Sequence, residues 1–150
     1  MRFSQLAIIV IVLSAIALSS CATPSGSADT GSLPKYMIGT FVDDYGIQYS
    51  IDDAAIRLLP DDKFHILTVN RAENYLILQN DSLNTYAPAL FTRIDYQKLD
   101  NMKPYEWAFC FSSFEAASVE AAVNSVGTDK SDLMKGCNGY PFSRMKRRGR

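Results

Sequence analysis

Histidine and cysteine are scarce in this chain, and the common signatures of enzyme active sites are missing. The only histidine is His65, and no Cys-x-x-Cys pair occurs, which leaves few ligands for a transition metal. The G-x-S-x-G sequence of serine hydrolases and the H-E-x-x-H sequence of zinc peptidases are both absent. No EF-hand calcium loop is present. These absences argue against a metal site or a cofactor and favour a protein without catalytic activity.

The longest apolar run is too short to span a membrane as a helix. It covers residues 6–18 (LAIIVIVLSAIAL), whereas a spanning helix needs about 20 apolar residues. Arg2 precedes the run and two serines follow it, which is the layout of a secretory signal peptide. An uncleaved N-terminal anchor is the alternative interpretation.

The predicted signal ends in Leu18, Ser19, Ser20 and Cys21, which resembles the lipobox of bacterial lipoproteins. The resemblance implies that Cys21 becomes the new N-terminus and carries diacylglycerol on its sulfur and a third acyl chain on its amine. Several chains hold a protein firmly on a membrane, because each buried methylene adds about 0.8 kcal/mol. Alanine rather than aspartate follows the cysteine, which favours the outer membrane facing the periplasm. With ordinary cleavage near Ser20, Cys21 would have no such role.

The rest of the chain divides into a tether, one domain and a basic tail. Residues 1–20 are predicted to be signal peptide, and residues 21–35 a lipidated cysteine and a flexible linker. Residues 36–143 are long enough for one globular domain. Residues 22–143 contain 16 acidic and nine basic side chains, a net charge of −7 that argues against a nucleic-acid partner. Residues 144–150 hold five basic side chains and are predicted to be a solvated tail.

Two cysteines remain once Cys21 is assigned to lipid. The compartment implied by the signal is oxidising, so Cys110 and Cys137 are predicted to form a disulfide. Closing a loop of this size stabilises a fold by about 3 kcal/mol in the chain-entropy model. Two buried free thiols are the alternative.

Regularly spaced turn signals indicate a β-rich domain. Asp-Asp pairs begin at positions 43, 52 and 61, and aspartate side chains commonly bond the backbone of turns. Apolar and polar residues alternate between these pairs and beyond them, as in half-buried strands. The predicted strands cover residues 45–51, 55–60, 63–69, 75–79, 90–97 and 105–111.

One helix is predicted after the last of these strands. Ser112 and Glu115 have the spacing of a capping box, and apolar residues recur at helical spacing from 114 to 126. Gly127 is well placed to end the helix. The predicted fold is mainly β, an antiparallel meander closing into a small barrel or β-roll, with one α-helix in the C-terminal half.

Four residues on two adjacent predicted strands are candidates for a binding site. Arg93, Asp95 and Glu106 fall on polar faces, whereas Trp107 falls on an aromatic apolar face. Two carboxylates could act as an acid–base pair, as in glycoside hydrolases. Cross-strand ion pairs on a solvated face explain the same charges. The aromatic residues could line a ligand pocket or simply pack the core.

Three further segments resemble stretches of short secreted bacterial domains of unknown function. They are residues 41–46 (FVDDYG), 105–110 (YEWAFC) and 136–145 (GCNGYPFSRM). This resemblance implies no catalytic residue.

The sequence therefore predicts a lipid-anchored envelope protein that binds a small ligand, a glycan or another envelope protein. A hydrolase of envelope polymers using Asp95 or Glu106 is one alternative. An inhibitor of such a hydrolase is another, for which residues 80–88, the longest predicted loop, are the leading contact if they form a rigid protrusion.

Overall fold

The computed structural model describes residues 31–149 as a closed barrel of eight antiparallel strands. The strands pair in chain order, and β8 pairs with β1 to close the barrel. The strands are β1 (Gly39–Val42), β2 (Gln48–Ile51), β3 (Ala55–Leu59), β4 (Asp62–Asn70), β5 (Tyr75–Asn80), β6 (Phe91–Lys98), β7 (Tyr105–Ala116) and β8 (Ser143–Arg147). A 3-10 helix (Lys35–Met37) precedes β1, and α1 (Val119–Val123) follows β7. The predicted β fold with one C-terminal-half helix is confirmed, and the meander closes as a barrel.

Side-chain alternation along the strands sorts the residues between the inside and the outside of the barrel. On β6, Ile94 and Tyr96 point inward, while Arg93 and Asp95 lie on the outer face. On β7, Trp107 and Phe109 point inward. A bulge between Tyr105 and Trp107 breaks the alternation, so Tyr105 packs on the outer face, whereas strict alternation would place it with Trp107.

The up-and-down connectivity gives the barrel two distinct ends. The segment 31–38 enters at one end, called here the near end, which also carries the turns at residues 52–54, 71–74 and 99–104. The opposite, far end carries the turns at 43–47 and 60–61 and the loop at 81–90. Leu33 and Met37 are buried and cover the near end of the core, so the folded domain begins before the predicted boundary at residue 36.

The aspartate pairs form turns, as their spacing predicted. The Asp43 carboxylate accepts hydrogen bonds from the backbone N–H groups of Tyr45 and Ile47, both at 2.9 Å. Gly46 in the same turn has a φ of +83°, which glycine adopts without strain. Tyr45 and Ile47 consequently belong to an exposed turn, and β2 is shorter than the predicted strand 45–51.

The two strands that close the barrel are missing from the sequence prediction. Residues 144–147 lie in β8, so the predicted solvated tail is wrong for these residues. Met145 is the buried residue of this strand, and Arg144 and Lys146 on either side carry the charge. One inward side chain among cations is too weak a pattern to identify a strand, and pairing with β1 and β7 supplies the stabilisation.

The predicted helix over residues 114–126 is longer than the helix that forms. Strand β7 continues to Ala116, because Phe91 of β6 pairs with that residue. The Ser118 hydroxyl, not Ser112, accepts the capping hydrogen bond, from the N–H of Ala121 at 3.1 Å. Strand pairing therefore overrides the helical spacing at its beginning.

Residues 117–142, called here the strap, cross the outer face of β5, β6 and β7. Ala122 of α1 packs against Tyr75 and Ile77, and Phe142 packs against Ala108. The predicted disulfide is formed: Cys110 of β7 is bonded to Cys137 of the strap, with a Cα–Cα distance of 5.5 Å. The strap is thus joined to the barrel both covalently and by packing.

Candidate functional site

The barrel interior is a packed core without room for a ligand. Its buried residues include Phe41, Phe64, Tyr96, Trp107 and Phe109, and the Trp107 ring contacts those of Phe41 and Phe109 at edge and tilted angles. The space left among the central side chains is about 10 Å³, which is close to the minimum for one water molecule. The aromatic residues therefore form the core, and Trp107 belongs to it.

Arg93 and Asp95 lie together under the strap. Two nitrogens of the Arg93 guanidinium are each 3.1 Å from an Asp95 carboxylate oxygen, and the third donates to the Val123 carbonyl at 2.7 Å. Lys130 Nζ approaches the same carboxylate at 3.0 Å and donates to the Asn74 carbonyl at 2.9 Å. Asp95 is 1 % exposed. Strand β6 is therefore joined to the strap twice, through the bond from Arg93 to the Val123 carbonyl and through the ion pair of Asp95 with Lys130.

These contacts keep Asp95 ionised. Burial raises the pKa of its carboxyl group, but hydrogen bonds from Arg93, Ser112 and Lys130 outweigh that effect and leave the pKa below its usual range. A carboxylate with a lowered pKa and with cations on its oxygens is a poor general acid. Its position favours a structural role.

Glu106 is far from Asp95. Asp95 pairs with Cys110, and Glu106 is four residues from Cys110 along β7, or roughly 13 Å at the usual rise per strand residue. Both carboxylate oxygens of Glu106 accept from Arg147 Nε, at 3.1 and 3.2 Å. The structure brings Arg93 and Asp95 together, but it does not place Glu106 or Trp107 with them.

The loop between β5 and β6, residues 81–90, is called here the tip loop. It lies at the far end of the barrel, and Leu83 near its beginning is 88 % exposed. The next residue, Asn84, is buried, and its side-chain amide pairs with the backbone of Lys63: Oδ1 accepts from the N–H and Nδ2 donates to the carbonyl, both at 2.8 Å. The exposed Leu83 side chain therefore lies next to a residue whose position is fixed by two hydrogen bonds.

Further contacts hold both ends of the tip loop. The buried Asn80 donates to the Ala87 carbonyl at 2.8 Å and accepts from the Thr92 hydroxyl at 2.6 Å. Tyr86 donates from its hydroxyl to Glu115, and its ring lies 5.2 Å from that of Phe114. A loop bound at this many points loses little conformational entropy when it meets a partner.

Two alanines in the tip loop adopt left-handed backbone conformations. Ala87 has a φ of 46° and Ala89 a φ of 62°, values that residues other than glycine rarely adopt. Such strain persists only where the surrounding contacts enforce it, and it is concentrated at functional sites.

His65 belongs to the support of the tip loop. Its Nε2 lies 2.8 Å from Asp81 Oδ2, while Oδ1 of Asp81 accepts from the N–H of Leu83 at 3.0 Å. The hydrogen bond from Leu83, followed by that from His65, lowers the pKa of the Asp81 carboxyl. The sequence signal for Leu83 is slight: one apolar residue inside the polar stretch DSLN.

No helix in residues 31–149 is long and apolar enough to cross a membrane. Within the same residues, no three His, Cys, Asp or Glu side chains gather as they would around a metal ion. The predicted signal peptide, Cys21 and the first part of the tether lie outside the described residues. No family model, curated protein or solved structure matches the chain.

Proposed function

We propose that this protein is a lipid-anchored, non-catalytic module of the bacterial envelope that binds another protein through the tip loop. The observation that carries the proposal is Leu83, a nearly fully exposed apolar side chain on a loop whose backbone is fixed on both sides of it. Burial of such a side chain in a partner's pocket contributes about 1.5–3 kcal/mol. Because the loop is already ordered, little of that free energy is offset by ordering it.

Two other features support binding at the surface over catalysis or transport. The packed interior leaves no ligand cavity within the barrel. Asp95 is held between Arg93 and Lys130, and Glu106 is bound by Arg147, so neither carboxylate is free to act on a substrate.

The orientation of the barrel is consistent with this role. The chain from Cys21 reaches the barrel at the near end, whereas the tip loop is at the far end. A lipid on Cys21 would therefore be joined to the end of the barrel opposite the tip loop.

The charges around the tip loop indicate the chemistry of the partner. Asp61, Asp62, Asp81 and Glu115 lie at the far end near the loop, with Lys63 as the nearby cation. Such a surface suits a partner with an apolar pocket and a basic rim. An inhibitor of an envelope hydrolase is one form of this function, with the tip loop seated in the hydrolase's cleft.

Photo-crosslinking in intact cells tests the proposal. A benzophenone amino acid at position 83 should give one discrete protein adduct. The same amino acid at position 126, where Val126 is 83 % exposed on the strap, is the matched control and should not. Leu83→Asp should abolish capture from a crosslinker placed at Thr85, and Val126→Asp should not. Equal adducts from positions 83 and 126, or none from either, would contradict the proposal.

The anchor is tested separately. Cys21→Ala should move the protein from the membrane to the soluble periplasmic fraction, and mass spectrometry of the wild type should show acyl chains on Cys21. A Cys21→Ala protein that stays on the membrane, together with an unmodified wild-type cysteine, would exclude the lipid anchor while leaving the tip-loop proposal intact.

A further inference from the structure

A broad concavity lies outside the barrel, at the near end. Its volume is about 530 Å³, and it is bordered by Tyr36, the β6–β7 turn and the beginning of β7. At Met102 it adjoins a second depression of about 200 Å³, between Tyr45 and Met134. Together these two depressions are called here the outer groove. Ligand sites commonly have volumes of about 300–1,000 Å³.

With Lys146 and Arg147 beside it, the outer groove has an excess of positive charge although the domain is acidic. Each acidic side chain that lines it is paired with a basic one: Asp100 with Lys98, Glu106 with Arg147 and Asp44 with Arg144. Lys103 lines the groove, and Lys146 lies next to it, 5.9 Å from the centre of the Tyr105 ring. Neither lysine forms an ion pair with a carboxylate of residues 31–149. A ligand with negative groups would complement these two cations.

Tyrosine rings are spaced along the same surface. Tyr36 and Tyr105 line the larger depression, and the exposed Tyr45 lines the smaller one. Tyr105 is held in place because the Arg144 guanidinium, which also pairs with Asp44, lies 4.5 Å from its ring centre. Fixed amphipathic rings offer an apolar face and a polar edge, which suits the faces and hydroxyl groups of sugar rings.

We infer that the outer groove binds an anionic oligosaccharide, with sugar rings on the tyrosines and carboxylate or phosphate substituents near Lys103 and Lys146. The shape favours a chain molecule over a lipid surface, because a chain can enter a groove, whereas a flat membrane contacts a convex face. The site is distinct from the tip loop, because no residue of 81–90 lines either depression.

Calorimetric titration of the full-length protein in nonionic detergent tests the inference. The probe is a hexamer of galacturonic acid, and a hexamer of galactose is the neutral counterpart. The anionic hexamer should bind. The neutral hexamer should bind at least about tenfold more weakly, because its sugar rings carry no carboxylates to contact the lysines. Lys103→Glu should lower the affinity for the anionic hexamer by about tenfold or more. Lys63→Glu, the same charge change at the far end, should leave its affinity unchanged.

Three outcomes would overturn the inference. They are the absence of binding by the anionic hexamer, equal weakening by Lys103→Glu and Lys63→Glu, and binding to phosphatidylglycerol vesicles that Lys103→Glu abolishes while the hexamer does not bind. The last would identify a lipid surface as the ligand. Leu83→Asp should leave hexamer affinity unchanged, so failure of this site and failure of the tip-loop proposal are distinguishable.

Discussion

The two faces of the barrel sheet are covered in different ways. The inner face is covered by the sheet itself, which closes on side chains such as Phe41, Tyr96 and Trp107. The outer face of β5–β7 is covered by a separate segment, the strap. It is held there by a disulfide and by the ion pairs of Asp95 with Arg93 and Lys130. Apolar packing is non-directional, so the inner face needs only residues of suitable size and pattern. The outer face needs particular partners at particular places.

The inner face is the more sensitive to loss of volume. Trp107 is 1 % exposed, so Trp107→Ala should lower the free energy of unfolding by about 3–5 kcal/mol through lost burial and a cavity. Urea denaturation measures this value. Trp107→Phe is the control and should cost much less, because it retains a ring and removes an indole N–H that has no partner among the described residues. A cost below about 1 kcal/mol for the alanine variant would mean that the interior is not close-packed.

The outer face depends on its covalent link. Reduction of the Cys110–Cys137 bond, which spans 27 residues, should lower the free energy of unfolding by about 3 kcal/mol. Parallel urea denaturations with and without reductant measure the change, and peptide mapping without reductant should show the two cysteines joined. The double variant Cys110→Ala/Cys137→Ala should not respond to reductant. Equal stability of the oxidised and reduced wild type would show that packing alone holds the strap.

The charged contacts under the strap should contribute less than the disulfide. Asp95→Asn leaves Arg93 and Lys130 without their carboxylate and should cost about 1–3 kcal/mol. Glu106→Gln is the matched substitution in a half-exposed pair and should cost less than about 1 kcal/mol. Both variants should retain any cellular phenotype. Complete loss of the phenotype in Glu106→Gln, with an intact fold by circular dichroism, would favour the hydrolase alternative.

The smallest effect is a difference in acid sensitivity. The pKa of Asp95 is lowered in the folded state, since hydrogen bonds from Arg93, Ser112 and Lys130 outweigh the raising effect of burial. Its contribution to stability is therefore complete at neutral pH and is lost as the pH falls below about 4, the unfolded value for aspartate. Between pH 4 and pH 2 the wild type should lose more stability than Asp95→Asn, as measured by urea denaturation. Equal losses would show that Asp95 contributes nothing to acid sensitivity.

The pattern on β6 shows how far the sequence can predict such a sheet. Alternation predicted that Arg93 and Asp95 share a polar face, and this is confirmed, since Ile94 and Tyr96 point the other way into the core. The sequence could not predict that this polar face is buried. The residues that cover it, Val123 and Lys130, lie about 30 residues further along the chain. The same limit applies to β8, whose charged residues become a strand only beside β1 and β7.

The sequence by itself determined the β-rich meander, the turn positions and the pairing of Cys110 with Cys137, because these depend on side-chain alternation, local turn chemistry and the number of available thiols. The lipid on Cys21 remains a prediction from the sequence. The tertiary structure alone decided that the barrel closes on a solid core, that Asp95 and Glu106 are separated, and that Leu83 is presented on a fixed loop. Each of these features depends on contacts between residues distant in the chain, and no local pattern encodes such contacts.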